Sequence, residues 1–169
     1  MRRGVVLLLL AFGPMLLEAG RSRRNERSLR AEGAVEPADD VYRVMQVAYP
    51  GCFLAMLGES WARRAAPRFL PVAGATLFLV SKALKYWAVA TLGPRWTYRV
   101  LVVPGVPRLT RGPYRFLRHP NYAGVAGELA GIAMIARAPV TGVLSLLVFG
   151  GLMLARIRVE ERAMERCER

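Results

Sequence analysis

Histidine occurs once in the 169 residues, at His119, and cysteine twice, at Cys52 and Cys167. The two cysteines lie far apart and have neither metal-ligand nor secreted-framework spacing, so neither a zinc site nor a disulfide is expected. Cys167 stands third from the end, one residue short of a prenylation box, and reads as an ordinary residue of a polar tail. No Ser-His-Asp arrangement surrounds the single histidine, which disfavours hydrolase chemistry. Acidic residues are scarce, 12 against 25 Lys and Arg, giving a formal net charge of +13. Internal repeats are absent, and low complexity is confined to the charged stretch from Arg21 to Asp40.

In a soluble protein such a charge would point to nucleic acid. Here the arginines sit at the boundaries of apolar runs, and no nucleic-acid-binding module accompanies them. Membrane lipid is therefore the expected partner, and no nucleic acid. Hydrophobic residues make up 54% of the chain, more than a soluble domain of one core needs.

Five apolar stretches stand out: Val5 to Leu17, Val44 to Trp61, Phe69 to Leu92, Tyr122 to Ala136 and Val140 to Ala155. Several are shorter than the roughly 20 residues of an untilted span, so flanking residues must complete them. The first follows Arg2 and Arg3 like a signal peptide, but it ends in Glu18-Ala19-Gly20-Arg21 without a clear cleavage site, which favours a retained span. One set of connections holds the groups Arg21 to Arg43, Arg95 to Arg118 and Arg156 to Arg169; the opposite set holds only Arg2, Arg3, Arg63, Arg64, Arg68 and Arg137. Because basic residues are retained on the cytoplasmic side of short loops, the richer set is expected inside. The short Arg137-Ala138 link before Pro139 makes the last two stretches a helical hairpin. Gly124, Gly127 and Gly131 recur near helical spacing and serve either close helix approach or room for a ligand.

Chemistry-bearing residues concentrate in Gly112-Pro113-Tyr114-Arg115-Phe116-Leu117-Arg118-His119-Pro120-Asn121-Tyr122, followed by Gly124. Pro120 suits the first turn of a helix, whose free amides could hold a carboxylate; the alternative is an interfacial Tyr and Arg anchor. Lys82 and Lys85 lie inside the third apolar stretch. Snorkelling to the interface is the favoured reading, and a polar cavity the alternative. Val100 to Gly105 is a β-like run expected across the cytoplasmic mouth. In the tail, Arg156 with Glu160 and Arg158 with Glu161 are at helical pairing distance; the glutamates could instead meet a cationic cofactor or its ribose hydroxyls.

Taken together, Gly112-Pro113-Tyr114-Arg115, Arg118-His119-Pro120-Asn121-Tyr122, Gly124 and Glu160-Glu161 resemble the isoprenylcysteine carboxyl methyltransferase family, within the wider group of membrane methyltransferases. Tyr86-Trp87-Ala88, Leu92-Gly93, Trp96-Thr97, Arg99, Val103-Pro104-Gly105 and Glu128 bring it closer to a bacterial branch that methylates long-chain alkylpyrones and phenolic lipids, as does Arg23-Arg24-Asn25-Glu26. The resemblance covers nearly the whole chain.

It implies an all-α integral membrane protein of about five transmembrane helices, with a C-terminal helical hairpin and a cytoplasmic cofactor pocket. Residues 1-169 would form one membrane methyltransferase domain, with N-terminal spans and a basic loop over 1-60 and a catalytic core over 69-169. Transferred onto matching positions, Tyr114, His119, Pro120, Tyr122 and Gly124 would surround S-adenosylmethionine, and Glu160 or Glu161 would contact it from the tail. Such a pocket needs no glycine-rich Rossmann loop, and none is found. Arg118 or Arg99 would hold an acceptor anion or lower the pKa of an enolic hydroxyl, and Glu128 or His119 would serve if a general base is needed. The expected activity is O-methylation of a lipophilic acceptor at a bacterial inner membrane, with the active site facing the cytoplasm. Carboxyl methylation of a prenylated cysteine and a non-enzymatic scaffold or transporter subunit are the alternatives.

Overall fold

The computed structural model describes residues 2–63 and 70–168, with side chains over 12–63 and 71–167. Arg64, Arg68, Phe69 and Arg169, used in the topology argument, lie outside the described residues. Among the described residues five helices follow one another: α1 (Arg2–Ala31), α2 (Tyr42–Ala62), α3 (Leu70–Leu92), α4 (Pro120–Ala136) and α5 (Pro139–Glu168), with 3-10 turns at Gly93–Arg95 and Gly112–Arg115. Each apolar stretch, over its described residues, falls within one helix. Among the described residues two segments, Pro71–Arg95 and Pro139–Cys167, are long and apolar enough to cross a bilayer, and only 33% and 28% of their most apolar stretches are buried. The core helix of a soluble protein would be mostly covered. Instead Val140, Val143, Leu144, Leu147, Val148 and Leu154 of α5 are more than half exposed, as are Val72, Leu79, Val80 and Trp87 of α3. An exposed apolar surface of this extent marks a membrane or protein contact face.

The basic stretch after the first apolar run is not a loop throughout. Helix α1 continues through Arg21–Ala31, because Ser22 and Ser28 each donate a hydrogen bond to a glutamate four residues on, Glu26 at 2.6 Å and Glu32 at 3.2 Å. Nor does Val100 to Gly105 build a sheet. One antiparallel bridge joins Val102 to Val35, and the run packs its buried Val100 and Val102 on Val159 of α5.

The α4–α5 hairpin closes as the link predicts. Arg137 takes a left-handed conformation (φ 58°), the Ala138 amide donates back to the Ala133 carbonyl at 2.9 Å, and Pro139 opens α5. Glu59 of α2 caps that helix start, accepting from the Thr141 amide at 2.7 Å and its hydroxyl at 2.6 Å. A side chain there satisfies donors that the first turn leaves without partners.

Helix α4 packs backbone to backbone on α3. A Cβ at Gly131 would lie 2.8 Å from the Phe78 amide nitrogen, one at Gly74 2.7 Å from the Gly131 carbonyl, and one at Gly124 2.9 Å from Lys85 Cβ. The glycine stripe of α4 therefore serves close helix approach rather than room for a ligand. Below it, Phe53 and Met56 of α2, Leu129 and Ile132 of α4, and Phe149 and Met153 of α5 form the apolar core.

Lys82 and Lys85 do not snorkel. Lys85 is 3% exposed and pairs with Glu18 of α1 at 2.7 Å and Glu128 of α4 at 3.7 Å. Lys82 reaches Glu128 at 3.0 Å and Glu18 at 4.0 Å. Two carboxylates on neighbouring helices make an inward position cheaper than the interface, since charges at this depth require partners. Tyr49 donates to Glu128 at 2.8 Å, and Tyr98 to Glu18 at 3.1 Å.

Candidate active site

Helix α4 begins at Pro120, as its position after His119 predicts, with no side-chain cap on the free amides. That start brings His119, Asn121 and Tyr122 against the outer half of α5. The Tyr122 hydroxyl donates to Glu160 at 3.0 Å and accepts from Arg156 Nε at 2.8 Å. His119 Nε2 lies 3.4 Å from Glu161, and its Nδ1 3.8 Å from Glu160. Both tail glutamates thus meet the histidine segment.

Arg156 does not form the helical pair with Glu160 that its spacing suggests. Its side chain turns inward, 7% exposed, to Asp40 at 3.3 Å, and also donates to the Tyr98 carbonyl. Asp40 in turn accepts from the Val100 amide at 3.0 Å and the Tyr42 amide at 3.1 Å. A guanidinium with three acceptors fixed around it gains more than a solvated helical pair would give. Asn25 of α1 holds the turn after α3, donating to the carbonyls of Gly93 at 3.2 Å and Trp96 at 2.7 Å.

Two cavities flank this cluster. The first, of about 390 Å³, is lined by Tyr114, Arg118, His119, Asn121, Tyr122 and Glu160 together with the connection from Leu92 to Thr110. The second, of about 560 Å³, runs between α1 and α2 past Phe12, Met15, Met45, Tyr49 and Phe149, with Glu18 and Lys85 in its wall. Trp96, Thr97, Arg99, Asn121, Tyr122 and Arg156 line both. Volumes of this size suit small molecules, whose sites span roughly 300–1,000 Å³.

The residues singled out from sequence divide accordingly. Tyr114, His119, Tyr122 and Glu160 line the first cavity; Glu161 stands behind His119. Burial, then the charge of Glu160, raises the Tyr114 phenol above its ordinary range, so it stays a neutral hydrogen-bonding ring. Arg118 lies at the rim, 83% exposed and 3.8 Å from Glu161. Arg99 reaches both cavities but is engaged by Glu36 at 2.5 Å and Glu26 at 3.6 Å, with its guanidinium 4.9 Å from the Tyr42 ring centroid. Pro120 and Gly124 are buried beneath the site, and Glu128, 1% exposed within the lysine cluster, lines neither cavity.

A family model for isoprenylcysteine carboxyl methyltransferases matches residues 74–166, from the third helix through the tail glutamates. The chain belongs to that family. Its members are membrane-integral methyltransferases that generally use S-adenosylmethionine. The chain is also 32% identical over 148 residues to the uncharacterized protein YpbQ of Bacillus subtilis, covering 88% of each. An uncharacterized protein of Haemophilus influenzae is 23% identical over 144 residues, covering 85% of this chain and 84% of the relative. No solved structure matches.

The first cavity fits the family's cofactor in its donor set. A carboxylate at Glu160 suits ribose hydroxyls or an ammonium group, Arg118 and Arg95 suit a carboxylate, and Tyr114 and Trp96 offer aromatic faces. Asn121 and Trp96, which also line it, each bury one polar atom without a hydrogen-bond partner, Oδ1 and Nε1.

Proposed function

We propose that the protein is an S-adenosylmethionine-dependent O-methyltransferase whose acceptor is a lipophilic molecule with a compact oxygenated head, such as a long-chain alkylpyrone or phenolic polyketide lipid. The observation that carries this is the shared wall of the two cavities, the first holding Tyr114, His119, Tyr122 and Glu160 and the second running past Phe12, Met15, Met45 and Phe149. In this reading Tyr114, His119, Tyr122 and Glu160 hold the cofactor, which supplies an electrophilic methyl group. Phe12, Met15, Met45 and Phe149 take the acceptor's chain and place its head at Asn121, Tyr122 and Arg156. Alignment of the acceptor oxygen with the methyl group then contributes to the rate enhancement.

Carboxyl methylation of a prenyl thioether acid is the competing reading, and the guanidiniums of Arg99 and Arg156 would favour it. Both are already neutralised, by Glu36 and Glu26 and by Asp40. Neither guanidinium of the junction is therefore without a carboxylate of its own, which supports a hydroxyl or enol acceptor. Five spans with the arginine-rich connection and tail on the cytoplasmic side complete the proposal.

Calorimetric titration of S-adenosylmethionine into purified protein in nanodiscs tests the reading. Saturable binding is expected, weakened about tenfold or more in His119→Ala through loss of a partner of both tail glutamates. Absence of binding in folded wild-type protein would overturn it in favour of a non-enzymatic role.

A further inference from the structure

Arg156 stands four residues before Glu160 on α5, a spacing at which opposite charges on a helix attract one another. Only the Tyr122 hydroxyl keeps them apart: it accepts from Arg156 Nε at 2.8 Å and donates to Glu160 at 3.0 Å. A guanidinium carries donors alone, so the single phenolic hydrogen is left for Glu160 and the direction of both bonds is fixed. What draws the guanidinium away from the tail glutamate is Asp40, which balances its charge at 3.3 Å. Its other two acceptors, the Tyr98 carbonyl and the Tyr122 hydroxyl, are neutral. Asp40 is held in turn by the amides of Val100 and Tyr42. Its side chain is 4% exposed, it lines neither cavity, and it precedes the residues that the family model matches.

We infer that Asp40 is a positioning residue for the cofactor site: by holding Arg156 inward, it keeps Glu160 of the first cavity from becoming that arginine's counter-ion. Without the Asp40 charge the buried guanidinium lacks compensation, which is costly, and the carboxylate one hydroxyl away is the partner at hand. Glu160 paired with Arg156 has less charge to offer a ligand's ammonium group or ribose hydroxyls. The connection between α1 and α2 thus sets the charge available in a cavity that it does not line. This rests on the proposed cofactor reading and adds to it a residue that acts through Arg156.

The test is calorimetric titration of S-adenosylmethionine into the protein in nanodiscs. Asp40→Asn, which keeps an acceptor for both amides, should weaken binding about tenfold; Asp40→Ser serves if the asparagine variant does not fold. Adding Arg156→Gln to Asp40→Asn removes the competing cation and should return the affinity to within about threefold of wild type. In a Glu160→Gln background Asp40→Asn should change affinity by less than about twofold, since the carboxylate through which it acts is gone. Asp39→Asn, whose exposed pair with Arg162 lies on the same connection, should bind as wild type does. A purely structural role for Asp40 would weaken binding equally in both backgrounds, and that result overturns the inference. So does an Asp40→Asn protein that binds like wild type, a variant that Arg156→Gln does not rescue, or an equal loss in Asp39→Asn. Wild-type protein that fails to bind S-adenosylmethionine removes the cofactor reading itself, and the inference with it.

Discussion

Replacing Lys85 by methionine should be among the most destabilising single changes available to the chain. The Lys82, Lys85, Glu18 and Glu128 side chains sum to zero charge, and Lys85, Glu18 and Glu128 are 3%, 6% and 1% exposed. Lys85→Met leaves Lys82 as the one cluster cation facing both carboxylates, 3.0 Å from Glu128 and 4.0 Å from Glu18. Breaking a buried pair from one side costs about 3–5 kcal/mol, and at roughly 2–4 °C per kcal/mol the melting temperature should fall by about 6–20 °C. Lys85→Met combined with Glu18→Gln restores neutrality and leaves the Lys82–Glu128 pair intact, with Tyr49 still donating to Glu128. The double variant should therefore be destabilised by at least ~2 kcal/mol less than the sum of the singles. Equilibrium unfolding in mixed micelles measures all three. Polar contacts between membrane helices average only about 0.6 kcal/mol when the unfolded chain finds other partners, so a coupling of that size or less would refute the view that these charges are held as a closed set.

Packing and acid stability supply two further tests. Gly131→Ala puts its Cβ 2.8 Å from the Phe78 amide nitrogen, backbone that cannot yield, and should cost about 1–3 kcal/mol. Gly150→Ala on α5, where nothing lies within 4 Å, should be neutral or gain up to about 1 kcal/mol from helix propensity, and equal losses at both sites would refute the close α3–α4 contact. Burial pushes the Glu36 carboxyl up, but hydrogen bonds and charge from Arg99 and Arg30 outweigh it and hold the group below its usual 4.5. A depressed folded-state pKa means that stability is present above the unfolded value and lost as pH falls through the folded one. Glu36→Gln should thus flatten part of the stability loss below about pH 4.5, and an unchanged acid slope would refute that role.

Helix positions were legible because each is written locally. Apolar runs bounded by arginine, Pro120 at one helix start and Pro139 at another fix the five helices without reference to their neighbours. What local pattern could not give was which helices touch. The spacing of Gly124, Gly127 and Gly131 left close helix approach and room for a ligand both open; Gly74, Ser81 and Lys85 on α3, packed against them, decide for the first. The charged stretch after the first apolar run concealed a helical continuation, because Ser22 and Ser28 prefer loops until their glutamates four residues on give them partners.

The site shows the same division more sharply. His119, Tyr122 and Glu160 were visible as a dense motif and an acidic tail, and the fold brings them together. Arg156 and Asp40 were not, since they lie 116 residues apart and the helical rule points each tail arginine at its nearest glutamate. A local rule ranks partners by sequence distance, whereas a buried guanidinium ranks them by how many acceptors are already fixed around it. Lysines inside an apolar run carry the corresponding signal: two cations at membrane depth require two anions there, and Glu18 at the end of the first run and Glu128 on α4 were available. Counting charges by depth rather than by neighbour would have predicted that cluster from sequence. The pairing of Arg99 with Glu36 and of Arg156 with Asp40, on which the preference for a hydroxyl over a carboxylate acceptor turns, joins distant segments and is read from the fold alone.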